Sequence, residues 1–273
     1  LEGDINGDGM IDILDIIILV NMILDDEYNS IADLNEDGEL NILDVVTIVN
    51  LVLLGDDDTC IDIDGNVYET VQIGEQLWMA ENLKVSHYND GSEIPTGYSN
   101  SEWGWLDMGA YAVYDDDPVN ADVYGNLYNW YTVDDDRGVC PDGWHIPSDY
   151  EFKQLEMHLG MSEDESNGED WRGTNEGSKI AGFGTLWENG PLEQNDVFGT
   201  SGFNAPGGGY MAPDGGVTQP RWFAYYWTST EYDSINAWSR SLDYQKSRVN
   251  RHQFLQNNES KRYGYSCRCI KDY

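Results

Sequence analysis

The sequence predicts an α+β chain of two domains: a small two-helix module and a larger α+β domain of short strands, loops and one clear helix. Three observations carry this. A twelve-residue acidic loop occurs twice in the first 44 residues, 29 positions apart, and each copy runs into an aliphatic stretch of helical length. The texture changes at Gly55-Asp56-Asp57-Asp58-Thr59, and all ten tryptophans follow it. Beyond that seam, short alternating runs are punctuated by Gly, Asn and Asp, as strands joined by tight turns are. A length of 273 residues suits two domains. The expected boundaries are 1–56 for the module, 57–59 for a linker and 60–273 for the second domain.

The first loop is Asp4, Asn6, Asp8, Gly9, Met10, Asp12 and Asp15; the second is Asp33, Asn35, Asp37, Gly38, Glu39, Asn41 and Asp44. These sit at loop positions 1, 3, 5, 6, 7, 9 and 12. Ca²⁺ takes six to eight oxygen ligands, and a loop of this kind supplies them from side chains at 1, 3, 5, 9 and 12 and a backbone carbonyl at 7. Glycine at position 6 permits the sharp turn. Both copies meet each demand, with Met10 and Glu39 giving the carbonyls, so two Ca²⁺ sites are expected. The helices that follow are apolar around most of their circumference. One stripe each suffices for a two-helix core, which leaves a second face: Ile13, Leu14, Ile17, Ile18 and Val20 on the first helix, and Ile42, Leu43, Val46 and Val49 on the second. An apolar face left over is a candidate partner surface; packing against the second domain is the alternative.

Paired loop-helix units with Asp at position 12 resemble the type I dockerin module, and the resemblance covers about residues 1–56. It implies an extracellular, calcium-dependent docking role with a protein partner. The chain departs from the cellulosomal pattern at positions 10 and 11, where Ile13-Leu14 and Ile42-Leu43 stand in place of a Ser/Thr pair. Val20-Asn21 and Val49-Asn50 replace a basic pair. A greasier contact than the usual cohesin one is expected, with another protein or with a second copy in a homo-oligomer or filament.

Charge narrows the partners. The chain carries 51 acidic and 14 basic residues, a net charge of −37. Residues 1–59 contain sixteen acids and no Lys or Arg. Such a surface repels nucleic acid and anionic membranes. The longest aliphatic run, Ile16–Val20, is far short of a membrane span. A secreted, cell-surface-associated protein is expected, and the start at Leu1 reads as removal of a signal peptide.

In the second domain Ile61–Ile63 and Val67–Ile73 flank Asp64-Gly65-Asn66, a hairpin signal. Gln76–Asn82 is a further short element. Ser148 with Glu151 forms a capping box for a helix from Asp149 to about Leu159, with the apolar stripe Phe152, Leu155, Met157 and Leu159. Trp171 to Gly216 reads as a long structured loop region. Tyr225–Thr230, Ala237–Leu242, Arg248–Gln253 and Tyr265–Ile270 are strand candidates.

Seven peptides in order are similar to the Fibrobacter succinogenes major paralogous domain. They are Asp64-Gly-Asn-Val-Tyr68, Ile73-Gly-Glu-Gln-Leu-Trp78-Met-Ala-Glu-Asn-Leu83, Tyr124-Gly-Asn-Leu-Tyr128-Asn-Trp-Tyr131, Cys140-Pro-Asp-Gly-Trp144-His-Ile-Pro147-Ser, Gly202-Phe203-Asn-Ala205, Tyr226-Trp-Thr-Ser-Thr230 and Tyr265-Ser-Cys-Arg-Cys269. The resemblance implies a C-type-lectin-like α+β fold, a scaffold that serves ligand binding more often than catalysis. Four cysteines in an apparently secreted chain favour disulfides, with three pairings open. The family pattern has cysteines at Cys140 and Cys269, which implies that bridge and leaves Cys60 with Cys267.

No GxSxG elbow, P-loop, GxGxxG before a helix or HExxH is present. His145 is expected to be a buried structural histidine, and no enzyme is expected. Nine of the fourteen basic residues lie between Arg221 and Lys271. Trp222, Tyr232, Arg240, Tyr244, Arg248 and Arg251 form a candidate ligand surface, because aromatic faces stack on sugars and Arg grips carboxylates. The alternative, that these are core residues or local salt bridges, stays open. The sequence therefore predicts a calcium-stabilised, non-enzymatic docking or assembly protein, with a carbohydrate-binding module as the alternative. The glycan reading requires Trp103, Trp105, Trp187 or Trp222 at the surface.

Overall fold

The computed structural model describes residues 3–8, 11–25, 27–35, 37–54, 59–214, 216–253 and 260–272. Met10 and linker residues 57 and 58 lie outside this set. The chain forms two compact units, Leu1–Thr59 and Cys60–Tyr273.

In the first unit α1 (Ile13–Leu24) starts where Asp12 accepts the Leu14 N–H, and Asp15 completes a capping box. This start satisfies orphan donors of the first turn. The second helix, α2 (Ile42–Leu54), begins the same way, with the Asn41 side chain accepting the Leu43 N–H. Leu19, Ala32 and Ile48 are fully buried between the helices, with Ile16, Ile23 and Val45 packed against them.

The second unit starts with β1 (Thr59–Ile61) and β2 (Val67–Ile73), joined by the turn at Gly65, whose φ of 81° suits glycine. Then come β3 (Gln76–Met79), α3 (Asn100–Trp103), β4 (Tyr111–Ala112), α4 (Pro118–Tyr124), β5 (Leu127–Tyr128), α5 (Trp130–Val133) and β6 (Trp144–His145). They are followed by α6 (Asp149–His158), α7 (Glu163–Asn167), β7 (Asp170–Arg172), α8 (Glu176–Ile180), β8 (Tyr210–Met211) and β9 (Val217–Thr218). The chain closes with β10 (Phe223–Asp233), β11 (Asn236–Asp243), β12 (Lys246–His252) and β13 (Ile270–Lys271). The stretch expected as loop from Trp171 to Gly216 thus holds short elements, because single turns of helix and two-residue strands carry no readable period.

Two main sheets organise this unit. One runs β1-β2-β3-β13-β6, so the last strand inserts between early ones, with Ile270 opposite Trp78 and His145. The other runs β10-β11-β12-β7. Phe152 and Leu155 of α6 share a buried cluster with Trp78, Tyr226, Leu242 and Ile270. A second cluster joins Tyr68, Trp130, Trp227 and Tyr265. Met157 is half-buried, and the inner face of α6 instead carries Glu156, which is fully buried.

Cys140 and Cys269 are joined by a disulfide, whereas Cys60 and Cys267 are buried free thiols. The expected second bridge is therefore absent. Cys267 precedes β13, with its carbonyl accepting the Leu83 N–H, and both thiols belong to one buried cluster without being bonded.

Candidate functional site

The two acidic loops fold alike. Asp15 and Asp44 are both fully buried and hold their loops from position 12. Asp15 accepts the N–H groups of Ile5 at 2.8 Å, Asn6 at 3.0 Å and Asp12 at 2.9 Å. Asp44 accepts those of Leu34, Asn35 and Asn41 at 2.9, 3.4 and 2.8 Å. Burial alone would push the Asp15 carboxyl up; the backbone donors outweigh it and hold it below the usual range. At position 1, Asp4 accepts from Gly7 and Asp8, and Asp33 accepts from Gly38 and the Tyr28 hydroxyl. Position 3 binds position 5 in both copies, Asn6 to Asp8 at 2.9 Å and Asn35 to Asp37 at 2.8 Å. The double duty of positions 9 and 12, capping the helix while belonging to the loop, was present in the sequence as an N-cap and N3 pattern and was missed there.

One atom tests the fit of a cation. Asp33 is 5 % exposed, and its Oδ1 is buried without a hydrogen-bond donor. An orphaned buried carboxylate oxygen is costly unless a cation faces it. The all-oxygen donor set of the loop, hard and anionic, fits Ca²⁺. Among the described residues no three carboxylates converge as a metal cluster; they turn onto the loop's own N–H groups instead.

The leftover helix faces are open. Ile13, Leu14, Ile17 and Val20 are 37–59 % exposed, and Ile42, Leu43 and Val46 are 51–67 % exposed. Ile18 and Val49 are half-buried.

The second candidate surface dissolves in part. Arg240 and Arg251 are 2 % and 5 % exposed and lie between the four-stranded sheet and α6. Asp149 accepts from Arg240 at 2.9 Å and from Arg251 at 2.8 Å through both Nε and Nη2. Glu156 accepts from Arg240 at 2.7 Å and from Arg172 at 2.8 and 2.9 Å. Burial opposes ionisation of Asp149, but the two guanidinium groups win and hold its carboxyl far below the usual range. One Arg from each of β7, β11 and β12 thus meets the two carboxylates of α6. The sequence signal was the i, i+7 spacing of Asp149 and Glu156, which puts both on one helix face. Arg248 is exposed and Tyr244 half-buried. Trp222 is 46 % exposed and lies 5.9 Å from Tyr244 between ring centres. Tyr232 is also exposed and sits edge-on to Trp238. Trp105 is 81 % exposed, whereas Trp103 and Trp187 are buried. His145 is half-exposed rather than buried, because β6 edges its sheet and Glu151 and Asp272 take its ring nitrogens.

The Fibrobacter succinogenes major domain model matches residues 71–271, and the dockerin type I model matches residues 2–53. The chain belongs to the Fibrobacter succinogenes major domain family. It carries a dockerin type I domain ahead of that major domain. None of the curated proteins and none of the solved structures matches it. Both are families of non-catalytic domains. Type I dockerins bind calcium and mediate protein–protein interaction. Both kinds of domain are typical of extracellular or cell-surface proteins, and no helix among the described residues is long and apolar enough to cross a membrane.

In this major domain the family peptides meet around Arg268, which is fully buried. Its guanidinium donates to Asn82 Oδ1 at 3.2 and 2.8 Å, to the Met79 carbonyl at 3.2 Å, and to the carbonyls of Phe203 and Asn204. Tyr226 donates to the same Asn82 oxygen at 3.0 Å. Four of the seven peptides are therefore tied by one cation with every donor used. This part of the family pattern ties the scaffold together.

Proposed function

We propose that the chain is a secreted, calcium-stabilised, non-enzymatic docking and assembly protein, in which the dockerin domain binds two Ca²⁺ and presents its apolar helix faces to a protein partner or to a second copy. Asp4, Asn6, Asp8, Asp12 and Asp15 with the Met10 carbonyl would hold one ion; Asp33, Asn35, Asp37, Asn41 and Asp44 with the Glu39 carbonyl would hold the other. The observation that carries the docking reading is the row of seven exposed aliphatic side chains on α1 and α2. Scattered apolar residues are ordinary on a surface, but a contiguous set in a unit this small marks an interaction face. The unit has no Lys or Arg in 59 residues, so a partner with apolar ridges and a basic rim suits it.

Self-assembly into a filament is the finer form of this reading. The burial of Arg240, Arg251, Lys261 and Arg268 leaves less positive surface for a head-to-tail contact, so apolar burial would have to drive it. Light scattering of the purified chain in calcium and then in EDTA tests it. Large particles that dissociate in EDTA support assembly through the dockerin domain; a monomer in both conditions rules out the filament and leaves a different partner.

A second reading, glycan binding by the major domain, rests on exposed Trp105 and on the Trp222–Tyr244 pair. Retention on insoluble polysaccharide, lost in Trp222→Ala, tests it.

A further inference from the structure

We infer that Tyr28 is a positioning residue of the second calcium loop: its hydroxyl holds Asp33 in the ligating pose and so sets how tightly that loop binds Ca²⁺. The inference rests on the two-ion reading and gives the two sites different means of reaching affinity. The loops are not chemically equal. The first has carboxylates at positions 1, 5, 9 and 12, from Asp4, Asp8, Asp12 and Asp15; the second has Asn41 at position 9 and keeps Asp33, Asp37 and Asp44. Calcium affinity in such loops follows ligand charge count and site rigidity. The second loop is one ligand charge poorer, so rigidity is what it has left to draw on.

Position 1 differs accordingly. Asp4 is half-buried, and its Oδ1 accepts the N–H groups of Gly7 and Asp8 from within its own loop. Asp33 is buried, and its Oδ2 accepts the Gly38 N–H at 3.0 Å from within the loop and the Tyr28 hydroxyl at 2.9 Å from outside it. Two donors on one oxygen fix the rotation of the carboxylate. Oδ1 is left buried without a donor, so the oxygen that a cation would satisfy is the one the Tyr28 contact leaves open. Outer hydrogen bonds of this kind orient a ligating group before the ion arrives, and losing one typically costs about 10–100-fold in metal affinity.

Tyr28 can act this way because the chain on both sides of it is held. Before it, the Glu27 N–H donates to the Met22 carbonyl at 2.9 Å, which closes the end of α1. After it, the Asn29 side chain accepts the Ile31 N–H at 3.0 Å, and the Asn29 carbonyl accepts the Ala32 N–H at 3.0 Å. Ala32 is fully buried between the two helices. The connection from α1 to the second loop is thus anchored in the core of the unit, and Tyr28 projects from that anchor onto Asp33.

Packing is the competing explanation for this tyrosine. Its ring lines a concavity with Met22, Ile23 and Leu40, yet the residue is 58 % exposed. A side chain that keeps more than half its surface in water adds little burial. The hydroxyl is then the part of Tyr28 with a defined task, and Phe in its place keeps whatever the ring contributes.

The test is calorimetric titration of the full chain, stripped with chelator, with Ca²⁺. Wild type should bind two ions. Tyr28→Phe should weaken one of them by about tenfold or more and leave the other within about twofold, at wild-type helical ellipticity in saturating calcium. Asp33→Ala identifies the ion. Tyr28→Phe added to Asp33→Ala should leave the remaining affinity unchanged, whereas added to Asp4→Ala it should reproduce the loss, as coupling within one site requires. A Tyr28→Phe chain that binds both ions as wild type does overturns the inference and leaves the two calcium sites standing. Equal weakening of both ions overturns it as well, since a general support of the unit would act that way. A wild type that takes up no calcium removes the two-ion reading and this inference with it.

Discussion

Asp33 Oδ1, buried without a donor, makes a prediction at the scale of one atom. If Ca²⁺ faces it, calcium at a hundredfold excess over Kd stabilises the unit by about 2.7 kcal/mol per site. Asp33→Ala should remove the share owed to the second loop. The measure is the calcium-dependent shift of the urea midpoint followed by helical ellipticity; a variant with the full wild-type shift would place the ion elsewhere. His252 gives a second residue-scale prediction. Neither ring nitrogen has a hydrogen-bond partner, and burial, with Arg240 nearby, pushes its pKa down to about 3. The folded value lies below the unfolded one of about 6.5, so the neutral form is favoured in the fold. Stability is then complete above pH 6.5 and falls as pH drops from there, by about 2 kcal/mol at pH 5. His145 works in the opposite sense. Hydrogen bonds donated to Glu151 and Asp272 raise its pKa, so its contribution is complete below 6.5 and fades above. The lowered carboxyls Asp149 and Glu151 lose theirs only below about pH 4.5. The window from 6.5 to 5 therefore isolates His252, and His252→Phe should flatten the urea-stability slope across it. Nothing in the sequence marked His252 for burial among aromatics, because its T-shaped contact with Tyr225 is made across the fold.

At the scale of elements, the two faces of α1 should respond oppositely to substitution. Leu19 is fully buried and Ile17 is 51 % exposed. Leu19→Ala should cost about 2–5 kcal/mol, whereas Ile17→Asp should change stability by no more than about 0.5 kcal/mol yet abolish partner capture or assembly measured by particle mass. An Ile17→Asp chain that still assembles would mean that this face is not the joint. The sequence showed both helices and their surplus of apolar residues, because local rules set them: a capped start and a 3.6-residue period. It also showed α6 through Ser148 and Glu151, whose capping box is present. It did not show what α6 rests on. Arg172, Arg240 and Arg251 converge on Asp149 and Glu156 from separate strands, and strand pairing over some 70–100 positions leaves no local trace. A run of basic residues with aromatics between them read as a surface for this reason. Glu156→Ala should leave Arg172 short of both its carboxylate bonds and Arg240 short of one. Breaking a buried pair from one side costs about 3–5 kcal/mol, and a denaturant midpoint that stays at the wild-type value would deny the network this role.

The whole molecule combines two units that reach stability by different means. The first is small, with Leu19, Ala32 and Ile48 fully buried in its core among the described residues, and carries sixteen acids without a Lys or Arg. A core of this size supplies at most about 3–5 kcal/mol, and like charge works against compactness, so cation binding is the natural complement. The second unit has two large aromatic clusters and a disulfide that joins residues 129 apart. A bridge across about a hundred residues contributes roughly 4.7 kcal/mol by constraining the unfolded chain. Crossed perturbations should therefore separate the units. Scanning calorimetry in calcium should give two transitions. EDTA should lower the first by many degrees and leave the second in place, since the acidic loops lie wholly in the first unit. A reducing agent should do the reverse, because all four cysteines lie in the second. Thiol counting under denaturant, without reductant, should give two free groups, Cys60 and Cys267, and native protein should react slowly, since burial raises both thiols and pushes Cys60 up to about 12. Zero free thiols would mean a second bridge, between Cys60 and Cys267. A single transition that moves with both EDTA and reductant would mean that the dockerin and the major domain unfold as one body, and calcium would then govern the glycan surface as well as the docking face.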